Sequence, residues 1–299
     1  MNNFIYKIAD IIYNINSSDF SIRQGRKEFD VFEYAGATSY YPPIDINLTN
    51  SPIEIPENAE TLFDCGDWAM LITPEDVRYL KFYGNKDTGN FWVAEMPNSS
   101  FEVVNIYYPP ETFSSDGSLE NPIRYPLGRE IAMYRGLSLG GIMIHGGAAS
   151  YKGKAVLYTG PSESGKSTMS RCLRDSKYDF AMMSDERPVI SLIDGVYHAC
   201  GTPWPSSENI VGDYTDPLKS IMFLVQSPEN RLVPISRKVA FERIMKMICI
   251  PWFDKTLVFD FINIIDNVLD KVELFEVHFK PDTDIADLIA GYLEDKGKG

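Results

Sequence analysis

An α/β fold, α+β over the whole chain, is what the sequence predicts: a mostly antiparallel β module over residues 1–125, then a domain with a mixed sheet over 126–299. Three observations carry this. Runs rich in β-branched and aromatic residues, broken by turn residues, crowd the first part. After residue 126, helix-period and strand-type segments alternate. The acidic charge is uneven, with a net −11 over residues 1–125 against −3 over the remainder of a chain whose total is −14.

In the first part, residues 4–15 and 61–107 read as strands and turns, with residues 77–83 and 91–94 as two arms of a hairpin and 84–90 as its loop. Residues 40–60, punctuated by Pro42, Pro43, Pro52 and Pro56, read as a loop or sheet edge. The aromatic residues here read as core. A polar connection over 111–126 marks the boundary between the two parts.

A helix follows Pro126, with Leu127, Ile131, Tyr134 and Leu137 on one face and Gly140-Gly141 at its end. Residues 142–145, then 148–151, lead to the tight turn Lys152-Gly153-Lys154 and into the strand 155–159. Strands joined by so short a turn must run antiparallel, so the sheet is mixed. Downstream, a helix to about 177 precedes the apolar run 180–184, which ends in Asp185 and Glu186. Residues 189–192 and 196–200 flank Asp194-Gly195, a hairpin signal. Trp204, between Pro203 and Pro205, reads as part of a rigid loop, its ring either exposed or half-buried as a substrate contact or packed away. The remainder reads as a strand at 221–225 with a partner at 230–235, a helix at 239–248, a helix at 256–269, a strand at 272–279, and a helix at 283–292 capped by Asp282 or Thr283.

At 44% hydrophobic and 23% charged residues, the composition is that of a globular chain. The acidic surface disfavours nucleic acid as a partner. Cys65, Cys172, Cys200 and Cys249 lack metal or disulfide spacing and read as reduced core thiols. No signal peptide and no apolar run of membrane-spanning length is seen, so the expectation is a cytoplasmic protein without a membrane partner.

The segment Gly160-Pro161-Ser162-Glu163-Ser164-Gly165-Lys166-Ser167 fits G-x-x-x-x-G-K-[ST] at every fixed position, between a strand and a helix. Such a loop wraps phosphates with backbone N–H groups at a helix N-terminus. Gly160, Ser162, Glu163, Ser164, Gly165, Lys166, Ser167 and Thr168 are therefore the candidate ATP-binding residues, with Lys166 on the outer phosphates and Ser167 on Mg²⁺. Asp185 and Glu186, acids at a strand end near the loop, are candidate Mg²⁺-directed carboxylates beside Ser167. Arg187 reads as an ion-pair partner of Glu186, and Arg231, Arg237, Lys238 and Arg243 as a solvated basic face.

The order His145-Gly146, hairpin, residues 160–167, helix, Ser184-Asp185-Glu186 resembles the kinase domain of HPr kinase/phosphorylase, whose nucleotide fold is similar to that of phosphoenolpyruvate carboxykinases. The resemblance implies ATP- and Mg²⁺-dependent phosphoryl transfer to a serine or threonine hydroxyl of a peptide or protein. Asp185 would be the base, His145 its neighbour and Lys166 the phosphate cation. It also implies homo-oligomeric assembly. Glu186 stands where the family usually has Asp, and the family's downstream Arg-Gly-Leu-Gly-type signature is absent. As a whole the chain looks more like the HPr-kinase-related proteins found beside ribosomal-peptide modification systems, some of which phosphorylate a precursor peptide. The other readings are a nucleotide-dependent protein-binding module without transfer and a small-molecule kinase.

Overall fold

The computed structural model describes residues 4–17, 21–23, 27–36, 38–83, 92–109, 118–123 and 126–295. Two compact units emerge, one of Met1–Lys7, Ile11–Ser138 and Pro251–Val258, the other of Ile8–Asp10, Leu139–Ile250 and Phe259–Gly299. The division thus falls after Ser138 rather than at 125/126, and a short later segment returns to the first unit.

The first unit contains β1 (Phe4–Ile8), β2 (Ile11–Ser17), β3 (Ser21–Arg23), β4 (Ile44–Thr49), β5 (Glu60–Asp64), β6 (Trp68–Ile72), β7 (Arg78–Phe82), β8 (Trp92–Met96), β9 (Val103–Tyr107), β10 (Ser118–Glu120) and helix α1 (Leu127–Ser138). Among the described residues an eight-stranded sheet runs β1-β2-β4-β9-β8-β7-β6-β5, and β3 pairs with β10. From β5 to β9 each strand is antiparallel to its neighbour. The expectation of a mostly antiparallel module needs correction where β4 enters, because it pairs parallel with both β2 and β9.

That strand also overturns the loop expected over 40–60. Ile44, Ile46 and Leu48 are buried while Asp45 and Asn47 are exposed, the period-2 pattern of a strand with one face in the core. The prolines flank this run without interrupting it. The expected hairpin loop 84–90 lies outside the described residues, as do 111–117 and 124–125 of the expected connection.

Helix α1 is buried on more than its apolar face. Tyr134 stacks on Phe101, with ring centroids 4.3 Å apart, and its hydroxyl donates to Asp254 Oδ2 at 2.9 Å. Arg78 Nε donates to the same oxygen at 2.9 Å, and both side chains of this ion pair are essentially inaccessible to water. Burial penalises the Asp254 carboxylate, yet bonds from Thr256, Arg78 and Tyr134 outweigh it and hold its pKa below the usual carboxylate range. Segment 251–258 therefore joins the first unit through a fully partnered buried charge.

The second unit contains β11 (Ile142–Ile144), β12 (Gly146–Tyr151), β13 (Lys154–Thr159), α2 (Lys166–Arg174), β14 (Ala181–Ser184), β15 (Val189–Ile193), β16 (Val196–Cys200), β17 (Thr215–Gln226), β18 (Arg231–Pro234), α3 (Arg237–Ile244), β19 (Ile248–Cys249), α4 (Val258–Lys271), β20 (Glu273–Phe279) and α5 (Asp284–Glu294). Lys152 and Gly153 adopt positive φ, 51° and 73°, and close the β12–β13 hairpin. Asp194 and Gly195 do the same between β15 and β16. β13 is parallel to β17, and β17 to β20, so the sheet is mixed as expected. The 230–235 segment pairs with β20, not with the 221–225 strand as expected. The helix expected over 239–248 ends at Ile244, and the chain then enters β19. At α5 the cap is a backbone bond from Asp284 to Asp282 Oδ1 at 3.2 Å, since the Thr283 side chain makes none.

Val156 and Tyr158 of β13, Met222 and Leu224 of β17, and Val277 and Phe279 of β20 share one core with Met169 and Leu173 of α2 and Ile285, Ile289 and Leu293 of α5. Period 2 on the strands and period 3.6 on the helices put these residues on facing surfaces. Each such buried side chain contributes roughly 1.5–3 kcal/mol by leaving water. The result fixes the C-terminal ends of three parallel strands beside the N-terminus of α2. All four cysteines are free, but Cys65 is exposed rather than in the core. Among the described residues no helix is long and apolar enough to cross a membrane.

Two measurements check the first unit. Asp254→Ala removes the buried partner of Arg78, leaving it only the half-exposed Asp76 as a counter-charge, and should cost about 3–5 kcal/mol in a urea melt. Glu130 of α1 is 3% exposed, and burial, only partly offset by Arg129, pushes its carboxyl from 4.5 up to about 8. Between those pH values the unfolded chain has released a proton that the folded one retains. Stability should therefore fall as pH rises through this window, by at most about 1.4 kcal/mol per pH unit, and Glu130→Gln should flatten the profile.

Candidate functional site

The loop 160–165 leaves β13 at Thr159 and enters α2 at Lys166, the strand–loop–helix order that its motif requires. Gly165 stands at the N-cap with φ 101°, a conformation that a side chain strains, and a Cβ there would lie 2.7 Å from the Phe279 ring. At Gly160 a Cβ would meet Ser164 Oγ at 2.6 Å. Both glycine positions of the motif are thus fixed by geometry. Glu163 also has positive φ, 67°, and its carbonyl accepts a 2.7 Å bond from Gln226 Nε2 at the end of β17. Alternation of backbone hand along such a loop is what makes a concavity of N–H groups for an anion.

Lys166 Nζ donates to the carbonyls of Gly160 at 2.9 Å and Pro161 at 3.0 Å, folding its ammonium over the loop. Burial lowers its pKa, an effect that Glu186 opposes. Ser164 Oγ is buried without a hydrogen-bond partner, Ser167 and Thr168 are half-buried, and Ser162 and Glu163 are exposed. Beside Gly165 and Thr168 lies a cavity of about 520 Å³, walled by Gln226, Pro228, Phe279 and Pro281. A second, of about 340 Å³, opens beside Gly160 and Pro161, between Phe223 of β17 and Arg243 and Lys246 at the end of α3.

His145 precedes β12. Its N–H donates to Met247 O at 2.6 Å, and its carbonyl accepts from Thr159 Oγ1 at 2.7 Å. Burial lowers the imidazole pKa, and the cations Lys166 and Arg187 lower it further against the opposing pull of Glu186, so the ring is neutral near pH 7.

The chain matches neither the protein-family models nor the curated proteins compared with it.

The two acids at the end of β14 diverge. Glu186 belongs with Lys166 and His145 electrostatically, and Arg187 donates to its Oε1 at 3.1 Å, the ion pair expected from sequence. Arg187 also donates to Cys249 Sγ at 3.0 Å. Asp185 is 3% exposed and faces another way. Its Oδ1 accepts from Ser206 N at 3.1 Å and its Oδ2 from Ser206 Oγ at 2.7 Å. The side chains of Lys166, His145 and Glu186 thus gather, while Asp185 is engaged by a serine that lies outside every motif. Among the described residues no group of three or more His, Cys, Asp or Glu could hold a metal ion. The expected Mg²⁺ set, Ser167 with Asp185 and Glu186, contains only two such residues and so falls outside that grouping.

Two further expectations, for Trp204 and for the basic face, meet their outcome in side-chain contacts. Trp204 is buried, which is the packed alternative of its two readings. Arg237 pairs with Asp266 and Asp270, and Arg243 pairs with Glu276. His278 pairs with Glu276 at 3.0 Å, and His198 Nδ1 lies 3.0 Å from Val196 O. Ser206 escaped the sequence reading because it lies 21 residues from its partner. The nearest sequence signal was the rigid Gly201-Thr202-Pro203-Trp204-Pro205 run before it.

Gly165→Ala should destabilise the loop by at least about 1–2 kcal/mol from its backbone hand alone. Adding Phe279→Leu should relieve the side-chain contact and leave that backbone cost in place. Thermal melts of both variants check this.

Proposed function

We propose that the second unit is an ATP- and Mg²⁺-dependent kinase, similar to the HPr-kinase-like proteins, that transfers the γ-phosphoryl group to a serine or threonine hydroxyl of a peptide or protein. The observation that carries the reading is the phosphate-loop geometry at 160–167 with a carboxylate nearby, Asp185, that already receives a seryl hydroxyl at 2.7 Å.

The residues fit the groups they would hold. Ser164 Oγ is an orphaned buried polar atom within the loop, and the positive φ values at Glu163 and Gly165 suit an anion-binding concavity. The 520 Å³ cavity next to Thr168, with Phe279, Pro228 and Pro281 in its walls, supplies apolar surface for a nucleobase. Mg²⁺, held by the Ser167 hydroxyl with Glu186 nearby, would neutralise charge on the phosphates.

The chain's own groups supply the rest. Lys166 leaves the Gly160 and Pro161 carbonyls for phosphate oxygens, which offer its ammonium a charged partner. His145, neutral, positions the Glu186 end of β14. Asp185 receives the acceptor hydroxyl's proton as the oxygen attacks in line.

One observation favours a second reading. Ser206 occupies both oxygens of a carboxylate that is almost wholly buried, which suits a nucleotide-dependent binding module that performs no transfer.

Mass spectrometry of serine-bearing peptides incubated with the protein and ATP·Mg²⁺ separates the two. The kinase reading expects a phosphate-sized mass gain. Asp185→Asn should abolish that gain with nucleotide binding largely kept, whereas Lys166→Ala should weaken nucleotide binding itself. ATP binding without any mass gain would leave the binding-module reading.

A further inference from the structure

We infer that Ser206 is an intramolecular phosphoacceptor, a self-modification site on the loop that covers the candidate base. The inference rests on the kinase reading above and goes beyond it, since it names an acceptor within this chain.

Ser206 meets Asp185 as an acceptor serine would. Its hydroxyl donates to Oδ2 at 2.7 Å while its own N–H fastens the other carboxylate oxygen at 3.1 Å. The two bonds fix both the position and the direction of the hydroxyl, the alignment that general-base removal of its proton needs. Unlike Asp185, Ser206 is half-buried, so its oxygen is not sealed into the core.

The surrounding loop is fastened to the helix that starts the phosphate site. Glu208, two residues on, lies 3.6 Å from Arg171 and 3.7 Å from Arg174 on α2, whose first turn carries Lys166 and Ser167. From the sheet side, Tyr158 senses the Asp185 charge, and its hydroxyl lies 2.7 Å from Ser170 Oγ, one turn along α2 from Lys166. The loop that carries Ser206 is thus fastened to the last turn of the helix whose first turn presents the phosphate loop. The loop's ends are tied to strands by Gly201 N to Tyr214 O at 3.0 Å and by Gly212 N to Met183 O at 3.1 Å.

The step balances with ATP as co-reactant. Ser206 Oγ forms a bond to the γ-phosphorus while the bond from that phosphorus to the β,γ-bridging oxygen breaks. The hydroxyl proton passes to Asp185 Oδ2, and the bond pair leaves with ADP. The product sets a phosphoserine of about −1.5 to −2 charge against the Asp185 carboxylate. Like charges at hydrogen-bond distance repel, so the modified loop leaves Asp185 and exposes it to an outside acceptor.

Purified protein incubated with ATP·Mg²⁺, followed by intact mass and fragment mapping, tests the inference. The expected result is one phosphate on Ser206, formed at a rate per molecule that does not change on dilution. It should be lost in Ser206→Ala and retained on the new hydroxyl in Ser206→Thr. Phosphate on Ser207 or elsewhere, or a rate that falls on dilution, overturns it. A preparation that phosphorylates added serine peptides and never itself overturns it while leaving the kinase reading intact. If neither protein nor peptide gains phosphate although ATP binds, the kinase reading falls and takes this inference with it. A readout without nucleotide is amide hydrogen exchange in Ser206→Glu. Exchange at Gly201 and Gly212 should rise as two carboxylates are forced together, and unchanged exchange at both overturns release of the loop.

Discussion

The left-handed backbone at Gly165 is the constraint on which the site depends. With φ at 101° and the Phe279 ring 2.7 Å from where a Cβ would stand, only glycine lets the chain turn from β13 into α2 at this point. The constraint has two sources. The φ value belongs to the loop, whereas Phe279 arrives from β20, held in place by its parallel pairing with β17. A local motif and a long-range sheet therefore agree on one residue, as expected where local and global preferences reinforce each other.

The same sheet sorts the charges around the loop. β12 is antiparallel to both β13 and β14, so its start at Gly146 lies beside the end of each. His145, Thr159 and Glu186 are thereby brought to one edge although they lie far apart in sequence. The chain bends just beyond β14, at Asp185 and Glu186, and there Glu186 comes to the side of Lys166 while Asp185 lies under Ser206. Two adjacent acids then have different surroundings: one beside two cations and a neutral imidazole, the other closed over by a single serine.

In the first unit, a buried charge does what apolar packing does in the second. Arg78 and Asp254 lie 176 residues apart and bring segment 251–258 to β7. Removing both groups from water is costly, and the cost is offset only because Tyr134, Thr256 and Asp76 supply the remaining hydrogen bonds. A network of this kind specifies which segment docks more strictly than apolar contact, because any other partner would leave a buried charge without one.

The sequence by itself determined whatever short-range chemistry controls. The phosphate-loop motif, the tight turns at Lys152-Gly153 and Asp194-Gly195, and the mixed sheet that the first of these enforces all follow from neighbours a few residues apart. The strand at Ile44–Thr49 was also written there, in alternating Ile44, Ile46 and Leu48, but its flanking prolines were the louder signal. Only the tertiary structure decided the rest. The parallel pairings of β4, the return of 251–258 to the first unit, the divergence of Asp185 from Glu186 and the arrival of Ser206 at Asp185 are contacts between distant residues. Their partners are chosen by burial and hydrogen-bond satisfaction in the folded chain, and no local pattern encodes them.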